Sequence, residues 1–197
     1  MLIRLVPFTF TRIKTKMNKV TYKTAVSLLR EGFIGVVPTD TLYGLIAVTD
    51  SEDAVERVYN LKRRESCKPC IILTDSVERV YSFGISLEKK ELSILEELWP
   101  GPNSVIIEVK KAPKYLTRST GTLAFRVPND EDLRDFLKET GPVVAPSANL
   151  ENMKPAASIK EAYLYFGEEV FYVDGGDRTG PASRLMRIED DKIKVIR

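Results

Sequence analysis

The sequence predicts an α/β fold in which helices and strands alternate along one chain. Some segments place apolar residues three or four positions apart, as in Ala25 and Leu29, which is the spacing of an amphipathic helix. Between them lie short apolar runs bounded by glycine, proline or polar residues, such as 33–37 and 45–48, which are typical of buried strands. No internal repeat, low-complexity segment or linker interrupts the alternation. We therefore predict a single domain over residues 17–197.

The predicted elements follow one another in chain order. Helices are predicted at residues 21–31, 51–64, 76–81, 87–98, 131–139 and 158–166. Strands are predicted at residues 33–37, 45–48, 70–73, 105–109, 123–127, 143–145, 170–173, 184–188 and 192–196. Gly32 ends the first helix, Asp50 or Ser51 caps the second, and the Pro-Gly-Pro segment at 100–102 breaks the helical pattern. An acidic turn at 189–191 joins the last two strands.

Residues 1–16 are predicted to form an N-terminal extension, to which the sequence assigns no role. It is either an edge strand or a segment that precedes a second plausible start at Met17. Its apolar stretch is short and no small-residue cleavage site follows, which argues against a signal peptide. No apolar run approaches the roughly 18 residues that a membrane-spanning helix needs, so no membrane partner is expected.

The charge balance and the absence of histidine exclude several classes of function. The 197 residues include 30 basic and 28 acidic side chains, and the formal net charge of +2 does not indicate a protein that coats nucleic acid. Without histidine, a His-based catalytic triad, a histidine general base and histidine metal ligands are all excluded. Any anion site must therefore come from local clusters of lysine and arginine.

The two cysteines, Cys67 and Cys70, form one CxxC motif. A tetrahedral zinc site normally needs four ligands, and no further cysteine or histidine exists to complete one, so no metal site is predicted. The alternatives are a thioredoxin-like redox pair and, more simply, two reduced cysteines that flank a Lys-Pro turn. This cysteine usage fits a reducing compartment, and we expect a cytoplasmic protein.

A polar turn at residues 38–44 lies between two predicted strands. The hydroxyls of Thr39 and Thr41, the carboxylate of Asp40 and the phenol of Tyr43 are closely spaced there. Such groups suit the binding of a small polar ligand. The alternative is an ordinary hairpin whose turn residues form hydrogen bonds with one another.

Basic side chains suggest anion binding at two places. Lys62, Arg64 and Lys68 lie at and just beyond the end of a predicted helix, where the helix dipole alone would also favour them. Arginine and lysine at such a position suit a phosphate or a carboxylate. Arg126 is a lone arginine at the end of an apolar strand, and it needs a partner, either a carboxylate of the protein or a ligand anion.

Two loops that follow predicted strands carry small polar groups. Ser147 and Asn149 come directly after the strand at 143–145, at the kind of position where open α/β sheets bind ligands. A helix cap or turn is the alternative there. The loop at 174–183 contains three glycines and ends at Ser183. It either exposes backbone N–H groups to an anion or is a flexible surface loop.

In this order, the motifs resemble those of the YrdC-like family. They are Pro38-Thr39-Asp40-Thr41-x-Tyr43-Gly44-Leu45, Lys62-x-Arg64 with Lys68-Pro69, Trp99-Pro100-Gly101-Pro102, Arg126-x-Pro128, Pro146-Ser147-Ala148-Asn149 and the glycine-rich loop that ends at Ser183. Each motif alone is short, but six in the family's order over residues 20–190 are specific. The pattern is similar to that of the threonylcarbamoyl-AMP synthase branch in its short, single-domain form.

The resemblance implies a twisted mixed β-sheet flanked by helices around a positively charged cleft. It also implies an enzyme, an L-threonylcarbamoyladenylate synthase of the nucleotidyltransferase class. Such an enzyme makes threonylcarbamoyl-adenylate and pyrophosphate from L-threonine, bicarbonate and ATP. The product is used to form N6-threonylcarbamoyladenosine in tRNA, so tRNA or tRNA-modification proteins are further expected partners.

Roles for individual residues follow from the same resemblance. The implied nucleotide site consists of Lys62, Arg64, Lys68, Ser147, Asn149 and Ser183. The implied threonine site consists of Thr39, Thr41, Tyr43 and Arg126. Lys62 and Arg64 would be catalytic, offsetting the triphosphate charge together with Mg²⁺. This fits a reaction in which the carbamate of threonine attacks the α-phosphorus of ATP, since that step depends on positioning and positive charge rather than on a histidine base.

Three short segments depart from the family pattern. Arg184-Leu185 follows Ser183 where the family usually has Thr-Val, Asn103-Ser104 stands in place of Leu-Thr, and Glu151-Asn152 in place of Ser-Gly. The alternatives to a synthase are a non-catalytic RNA-binding protein and a YciO-like paralogue that use the same cleft. The near-neutral charge argues against strong RNA binding. The segment from Thr41 to Leu45 favours the synthase over YciO, which usually has serine at the first position and lacks Tyr-Gly-Leu.

Overall fold

The computed structural model describes residues 17–189 and 192–197. The predicted extension at 1–16 and part of the predicted turn at 189–191 lie outside these residues. The strands are β1 (Lys19–Val20), β2 (Gly35–Pro38), β3 (Tyr43–Val48), β4 (Ile71–Leu73), β5 (Asn103–Glu108), β6 (Thr122–Arg126), β7 (Val143–Val144), β8 (Phe171–Val173), β9 (Arg184–Glu189) and β10 (Lys192–Val195). The helices are α1 (Tyr22–Arg30), α2 (Glu52–Lys62), α3 (Lys89–Leu98), α4 (Lys114–Thr117), α5 (Glu131–Thr140) and α6 (Ile159–Phe166), with a 3-10 helix at Glu78–Phe83.

The ten strands form a mixed sheet in the order β1-β8-β2-β3-β7-β4-β6-β5-β9-β10. β8 pairs in parallel with β1 and β2, β4 with β6, and β5 with β9, while the other neighbours are antiparallel. Helices flank this sheet, so the predicted α/β class is confirmed. The positive charge of the predicted cleft stays a prediction.

Every predicted helix and strand has an observed counterpart, and the differences are local. The segment predicted as a helix at 76–81 forms the 3-10 helix at Glu78–Phe83. Two short elements, β1 and α4, were not predicted. They contain two and four residues, which is too short for a periodic pattern of apolar side chains to develop.

The ends of the first two helices follow from local chemistry. Gly32 lies just beyond α1 at φ +83°, and the N–H of the next residue, Phe33, bonds to the carbonyl of Leu28 (2.9 Å), as in a Schellman motif. Ser51 rather than Asp50 caps α2. This helix ends at Lys62, two residues earlier than predicted, because the next residue has the left-handed φ of 52°.

The sheet separates two apolar cores because successive side chains of a strand point to opposite faces. In β2, Val36 belongs to the larger core and Val37 to the smaller one, and Leu45 and Ile46 of β3 divide in the same way. Helices α2, α3, α4 and α6 contribute to the larger core, and α1 and α5 cover the smaller one. The central strands are apolar throughout because both of their faces are buried.

The face covered by α1 and α5 remains partly open at β6, β5 and β9. Arg126 pairs in register with Leu73 of the smaller core and therefore lies on this face. Ala124, Ile106 and Leu185 share the face, are only half-buried, and belong to neither core among the described residues. This open half of the sheet leaves a floor beside the polar turn that joins β2 to β3.

In the described part of the chain, no helix combines the length and the apolar composition needed to cross a lipid bilayer.

The packing of β2 against β8 predicts that Gly35 cannot be replaced by alanine without cost. A Cβ atom at Gly35 would overlap the aromatic ring of Phe171, which lies directly over the glycine. We expect Gly35→Ala to lower the free energy of unfolding by about 1–3 kcal/mol, as overpacked cores do. Urea denaturation would measure this loss.

The double variant Gly35→Ala/Phe171→Leu provides the control, because the smaller side chain vacates the overlapped volume. Part of the lost stability should return in the double variant. Equal stability of Gly35→Ala and the parent chain would contradict the predicted overlap.

Candidate functional site

The turn between β2 and β3 is closed by the side chain of Thr39. Its hydroxyl donates to the carbonyl of Leu42 (2.6 Å) and accepts from the backbone N–H groups of Thr41 and Leu42 (both 3.2 Å). The hydroxyl of Thr41 contacts that of Thr39 (3.1 Å). Since Thr39 uses its only proton on Leu42, Thr41 is the donor in this contact, and its hydroxyl oxygen keeps acceptor capacity for a ligand.

Arg126 holds this turn from below, and its partner is a carboxylate of the protein. Its Nη2 lies 3.3 Å from Oδ1 of Asp40, and its Nη1 donates to the hydroxyl of Thr41 (3.0 Å). The backbone N–H of Asn129 binds the other carboxylate oxygen, Oδ2 (3.0 Å). Burial lowers the pKa of Arg126, and Asp40 opposes that shift. Nε of Arg126 is buried without a hydrogen-bond partner among the described residues.

Tyr43 joins the turn to the glycine-rich loop. Its hydroxyl donates to the carbonyl of Gly176 (2.7 Å) and accepts from the N–H of Gly175 (3.0 Å), while burial raises the pKa of Tyr43. Nε of Arg178 donates to the carbonyl of Thr39 (3.1 Å). Gly175 fits there because a Cβ atom would lie 2.5 Å from Cγ of Pro38. The loop is therefore attached to the turn at Gly175, Gly176 and Arg178, although most of its residues are exposed.

Lys62, the last residue of α2, is buried beneath the segment that follows β7. Its ammonium donates to the carbonyls of Ser147 (2.5 Å) and Asn149 (2.6 Å) and to Oδ1 of Asn149 (3.2 Å). An ammonium carries three protons, so these three acceptors use all of them. Burial, and then the charge of Arg64, lower the pKa of Lys62 to about 8.

Ser147 and Asn149 lie where the chain continues β7 along β3. The carbonyl of Pro146 accepts from the N–H of Leu45 (2.9 Å), and the N–H of Ala148 binds the carbonyl of Tyr43 (2.7 Å). The Ser147 hydroxyl donates to Oδ1 of Asn149 (2.6 Å). The segment with Lys62 beneath it is thereby placed directly beside the start of β3, next to the Thr39–Thr41 turn.

Arg64 and Lys68 occupy the loop between α2 and β4. Nε of Arg64 donates to the carbonyl of Lys68 and Nη2 to the carbonyl of Pro69 (both 3.1 Å). The Lys68 ammonium is half-exposed and lies near the carboxylates of Glu65 (2.9 Å) and Glu151 (3.2 Å). These carboxylates offset the Lys68 charge, so a ligand anion would have to compete with them for Lys68.

Ser183 lies at the open end of the sheet. The hydroxyl of Ser104 donates to that of Ser183 (3.0 Å), and both side chains are buried. Their neighbours Asn103 and Arg184 bond to each other, Nε of Arg184 to Oδ1 of Asn103 (3.0 Å). Because side chains alternate between the two faces, this second pair lies on the face opposite Ser104 and Ser183. Two of the departures from the family pattern thus contact each other.

The structure therefore brings most of the predicted site residues into two adjoining groups, and Ser183, which bonds to Ser104, belongs to neither. One group combines Thr39, Thr41 and Arg126. The other combines Lys62, Ser147 and Asn149, with Arg64 and Lys68 beyond them. Tyr43 and the segment at 146–148 connect the groups through backbone hydrogen bonds. The assignment of these residues to nucleotide and threonine stays a prediction.

Two participants, Asp40 and Glu151, were not predicted as site residues. Asp40 stands within the quoted motif, and its pairing with Arg126 could have been proposed from the need of a buried arginine for a carboxylate. Glu151 accepts from the N–H of Glu65 (2.8 Å), 86 positions earlier, and only the fold reveals such a contact.

Comparison with known proteins identifies the family. The family model for Sua5/YciO/YrdC proteins, described as telomere recombination, matches residues 27–197. This chain belongs to the Sua5/YciO/YrdC family. The resemblance that the sequence motifs indicated is thereby confirmed.

Three relatives show how far the similarity of this Sua5/YciO/YrdC protein extends. A threonylcarbamoyl-AMP synthase of Mus musculus is 33% identical over 168 residues, which cover 83% of this chain and 59% of the mouse protein. One of Pseudoalteromonas translucida is 31% identical over 172 residues, covering 83% of this chain and 91% of its own length. The crystal structure of Pyrococcus abyssi Sua5 complexed with L-threonine superposes with a TM-score of 0.84 at 26% identity, covering 93% of this chain and 57% of that one. This chain thus spans little more than half the length of the mouse and Pyrococcus proteins.

The buried pair of Arg126 and Asp40 predicts a large loss of stability when one charge is removed, and a smaller loss when both are removed. Arg126→Met should lower the free energy of unfolding by about 3–5 kcal/mol, because the carboxylate of Asp40 then stays buried without its counter-charge. Chemical denaturation measures the loss. The double variant Asp40→Asn/Arg126→Met removes both charges and should recover a substantial part of it. Additive losses in the double variant would contradict the coupling.

The environment of Lys62 predicts an unusually acidic lysine. Its pKa is lowered to about 8, so the side chain is charged below that pH and neutral above it. A neutral amine has two protons for three acceptors, so the contacts with Ser147 and Asn149 should loosen as the pH rises through this value. NMR of ¹³C-labelled lysine side chains would follow the titration, with Lys62→Met providing the assignment.

Lys138 is the internal control for that titration. It is exposed, and hydrogen bonding to Asp135 raises its pKa, so it should titrate above the ordinary lysine value of about 10.4. If Lys62 titrated together with Lys138, the predicted effect of burial would be refuted.

Proposed function

We propose that this chain is an L-threonylcarbamoyladenylate synthase, which forms threonylcarbamoyl-AMP and pyrophosphate from L-threonine, bicarbonate and ATP. The observation that carries the proposal is the junction at the start of β3. There the Lys62–Ser147–Asn149 group and the Thr39–Thr41–Arg126 group adjoin, joined by the 146–148 segment. A reaction that couples an amino acid to a nucleotide needs two adjoining polar sites of this kind.

The threonine side of the proposed site is the Thr39–Thr41 turn with Arg126. The Pyrococcus relative is described in complex with L-threonine, which supports an amino-acid site in this chain. Thr41 retains hydrogen-bonding capacity, and buried Nε of Arg126 lacks a partner among the described residues. Tyr43 has its hydroxyl engaged on both sides by the glycine-rich loop, so we assign it the role of holding that loop rather than of binding threonine.

The phosphate side combines Arg64, Lys68 and Ser183 with the charge of Lys62. Nη1 of Arg64 makes no hydrogen bond within the described residues, and it is the free edge of a guanidinium whose other two nitrogens are held. Lys62 spends its protons on carbonyl oxygens. It would act through its charge and by fixing Ser147 and Asn149, not by direct contact with phosphate.

Magnesium is proposed to enter as the MgATP complex, bound to the phosphates. Residues 17–189 and 192–197 contain no cluster of three histidine, cysteine, aspartate or glutamate side chains with the spacing of a metal site. A cation that arrives already bound to the phosphates of ATP does not need such a cluster of protein ligands. Mg²⁺ would neutralise part of the triphosphate charge beside Arg64 and Lys62.

The proposed chemistry has two steps. The amine of threonine adds to the carbon of bicarbonate, and loss of water leaves a carbamate. A carbamate oxygen then attacks the α-phosphorus of ATP, the bond to the β,γ-phosphates breaks, and pyrophosphate leaves. The protein contributes alignment of the two substrates and positive charge for the departing pyrophosphate, neither of which requires histidine.

The product would serve the modification of tRNA to N6-threonylcarbamoyladenosine, with tRNA or its modifying proteins as later partners. We propose a cytoplasmic location for this reaction. Both cysteines are free thiols, as is usual in a reducing compartment.

Pyrophosphate release tests the proposed activity. We expect release from MgATP only when both L-threonine and bicarbonate are present in degassed buffer, with a product whose mass equals threonylcarbamoyl-AMP. Arg64→Gln should lower kcat by about 100-fold to 1000-fold, because a donor to the phosphates is lost. Lys138→Gln, which changes an exposed lysine on α5, should leave the rate unchanged.

Two results would overturn the proposal. Release that does not depend on threonine and bicarbonate would indicate a different nucleotide reaction. No release, accompanied by RNA binding that weakens steeply with salt, would favour the non-catalytic RNA-binding alternative.

A further inference from the structure

A buried arginine, Arg118, lies outside the two groups of the site. It follows α4 in the left-handed conformation (φ 51°), and its side chain is only 9% exposed. Nη1 lies 2.7 Å from Oε1 of Glu56, and the guanidinium carbon lies 3.6 Å from the centre of the Tyr59 ring. Nε and Nη2 are buried and have no hydrogen-bond partner among the described residues.

Arg118 is a costly residue if it serves only to fill the core. Buried N–H groups without an acceptor are unfavourable, and well-packed apolar side chains often replace buried ion pairs without loss of stability. Two contacts offset this cost, the ion pair with Glu56 and the stacking of the guanidinium on Tyr59, which is a cation–π interaction. The contacts that Tyr59 makes therefore indicate the function of Arg118.

Tyr59 reaches from α2 to the loop that carries Arg64. Its hydroxyl donates to the carbonyl of Lys68 (2.9 Å), and the same carbonyl accepts from Nε of Arg64 (3.1 Å). The backbone carbonyl of Tyr59 also accepts from the N–H of Arg64 (3.0 Å). Tyr59 thus fixes both the backbone of Arg64 and one of the two carbonyl groups that orient its guanidinium.

We propose that Arg118 is a positioning residue for Arg64. By stacking on Tyr59 it holds the phenol in place, the phenol holds the Lys68 carbonyl, and that carbonyl together with the one of Pro69 sets the plane of the Arg64 guanidinium. The edge at Nη1 is then presented to a ligand without reorganisation. The catalytic part of this inference rests on the proposed function, in which Arg64 contacts the phosphates of ATP.

Two variants break this series of contacts, which runs from Arg118 through Tyr59 to Arg64, at different points. Arg118→Met keeps the length of the side chain but removes the guanidinium, and Tyr59→Phe removes only the hydroxyl. Tyr165→Phe, on α6, is the matched control. The Tyr165 hydroxyl also donates to a backbone carbonyl, that of Lys154 (2.9 Å). Arg79→Met, which breaks the ion pair with Asp75, is the control for loss of a partly exposed arginine.

The first measurement does not depend on catalysis. In ¹⁵N-labelled protein, the Nε–H signal of Arg64, assigned with Arg64→Gln, reports the hydrogen bond to the Lys68 carbonyl. We expect hydrogen exchange at this group to be about threefold to tenfold faster in Arg118→Met and Tyr59→Phe, as for loss of one supporting hydrogen bond. The two control variants should leave it unchanged. Unchanged exchange in Tyr59→Phe, in a protein whose melting temperature shows that it is folded, would overturn the proposal.

The second measurement separates positioning from a general structural effect. Arg118→Met and Tyr59→Phe should each lower kcat/KM for MgATP by about tenfold, in line with a displaced catalytic group. In an Arg64→Gln background the same changes should cause no further loss, since the residue that they position is gone. A further loss in that background would overturn the positioning role. If the parent chain shows no threonine-dependent release of pyrophosphate, the proposed function fails, and the exchange measurement still decides the role of Arg118.

Discussion

The buried ammonium of Lys62 is the contact on which the arrangement of the site depends. It lies at the end of α2, yet all three of its protons go to oxygens of the segment that follows β7. These three hydrogen bonds hold Ser147 and Asn149 beside the first residues of β3. The loop that carries Arg64 leaves the helix immediately after Lys62, so the same contact places the two ends of the proposed phosphate site relative to each other.

Around this contact the two faces of the sheet are covered to different extents. One face is filled by the larger core, and the other is covered by α1 and α5 only as far as β4. The remaining strands carry the buried side chains of Arg126 and Ser104 on this face, and Arg126 contacts the Thr39–Thr41 turn. The contact between Asn103 and Arg184 lies on the other face, so these two departures from the family pattern leave the Ser104–Ser183 contact in place.

Much of this could be predicted from the sequence because the signals are local. Periodic apolar residues located the long helices and most strands, and six short motifs indicated the family and the residues of the site. Helix ends were less predictable, because Arg63 adopts a conformation that non-glycine residues rarely take and so ends α2 early. The order of the ten strands could not be predicted, because pairing joins segments far apart in the chain.

By itself the sequence determined which side chains are available: no histidine, a Lys-x-Arg pair, a Thr-Asp-Thr turn and a Ser-x-Asn segment. Only the tertiary structure decided how each is used. It gave the protons of Lys62 to carbonyl groups, the hydroxyl of Tyr43 to the glycine-rich loop, and Asp40 to Arg126 as its counter-charge. The reason is that burial makes an unpaired polar group costly, and the fold determines which partners are within reach.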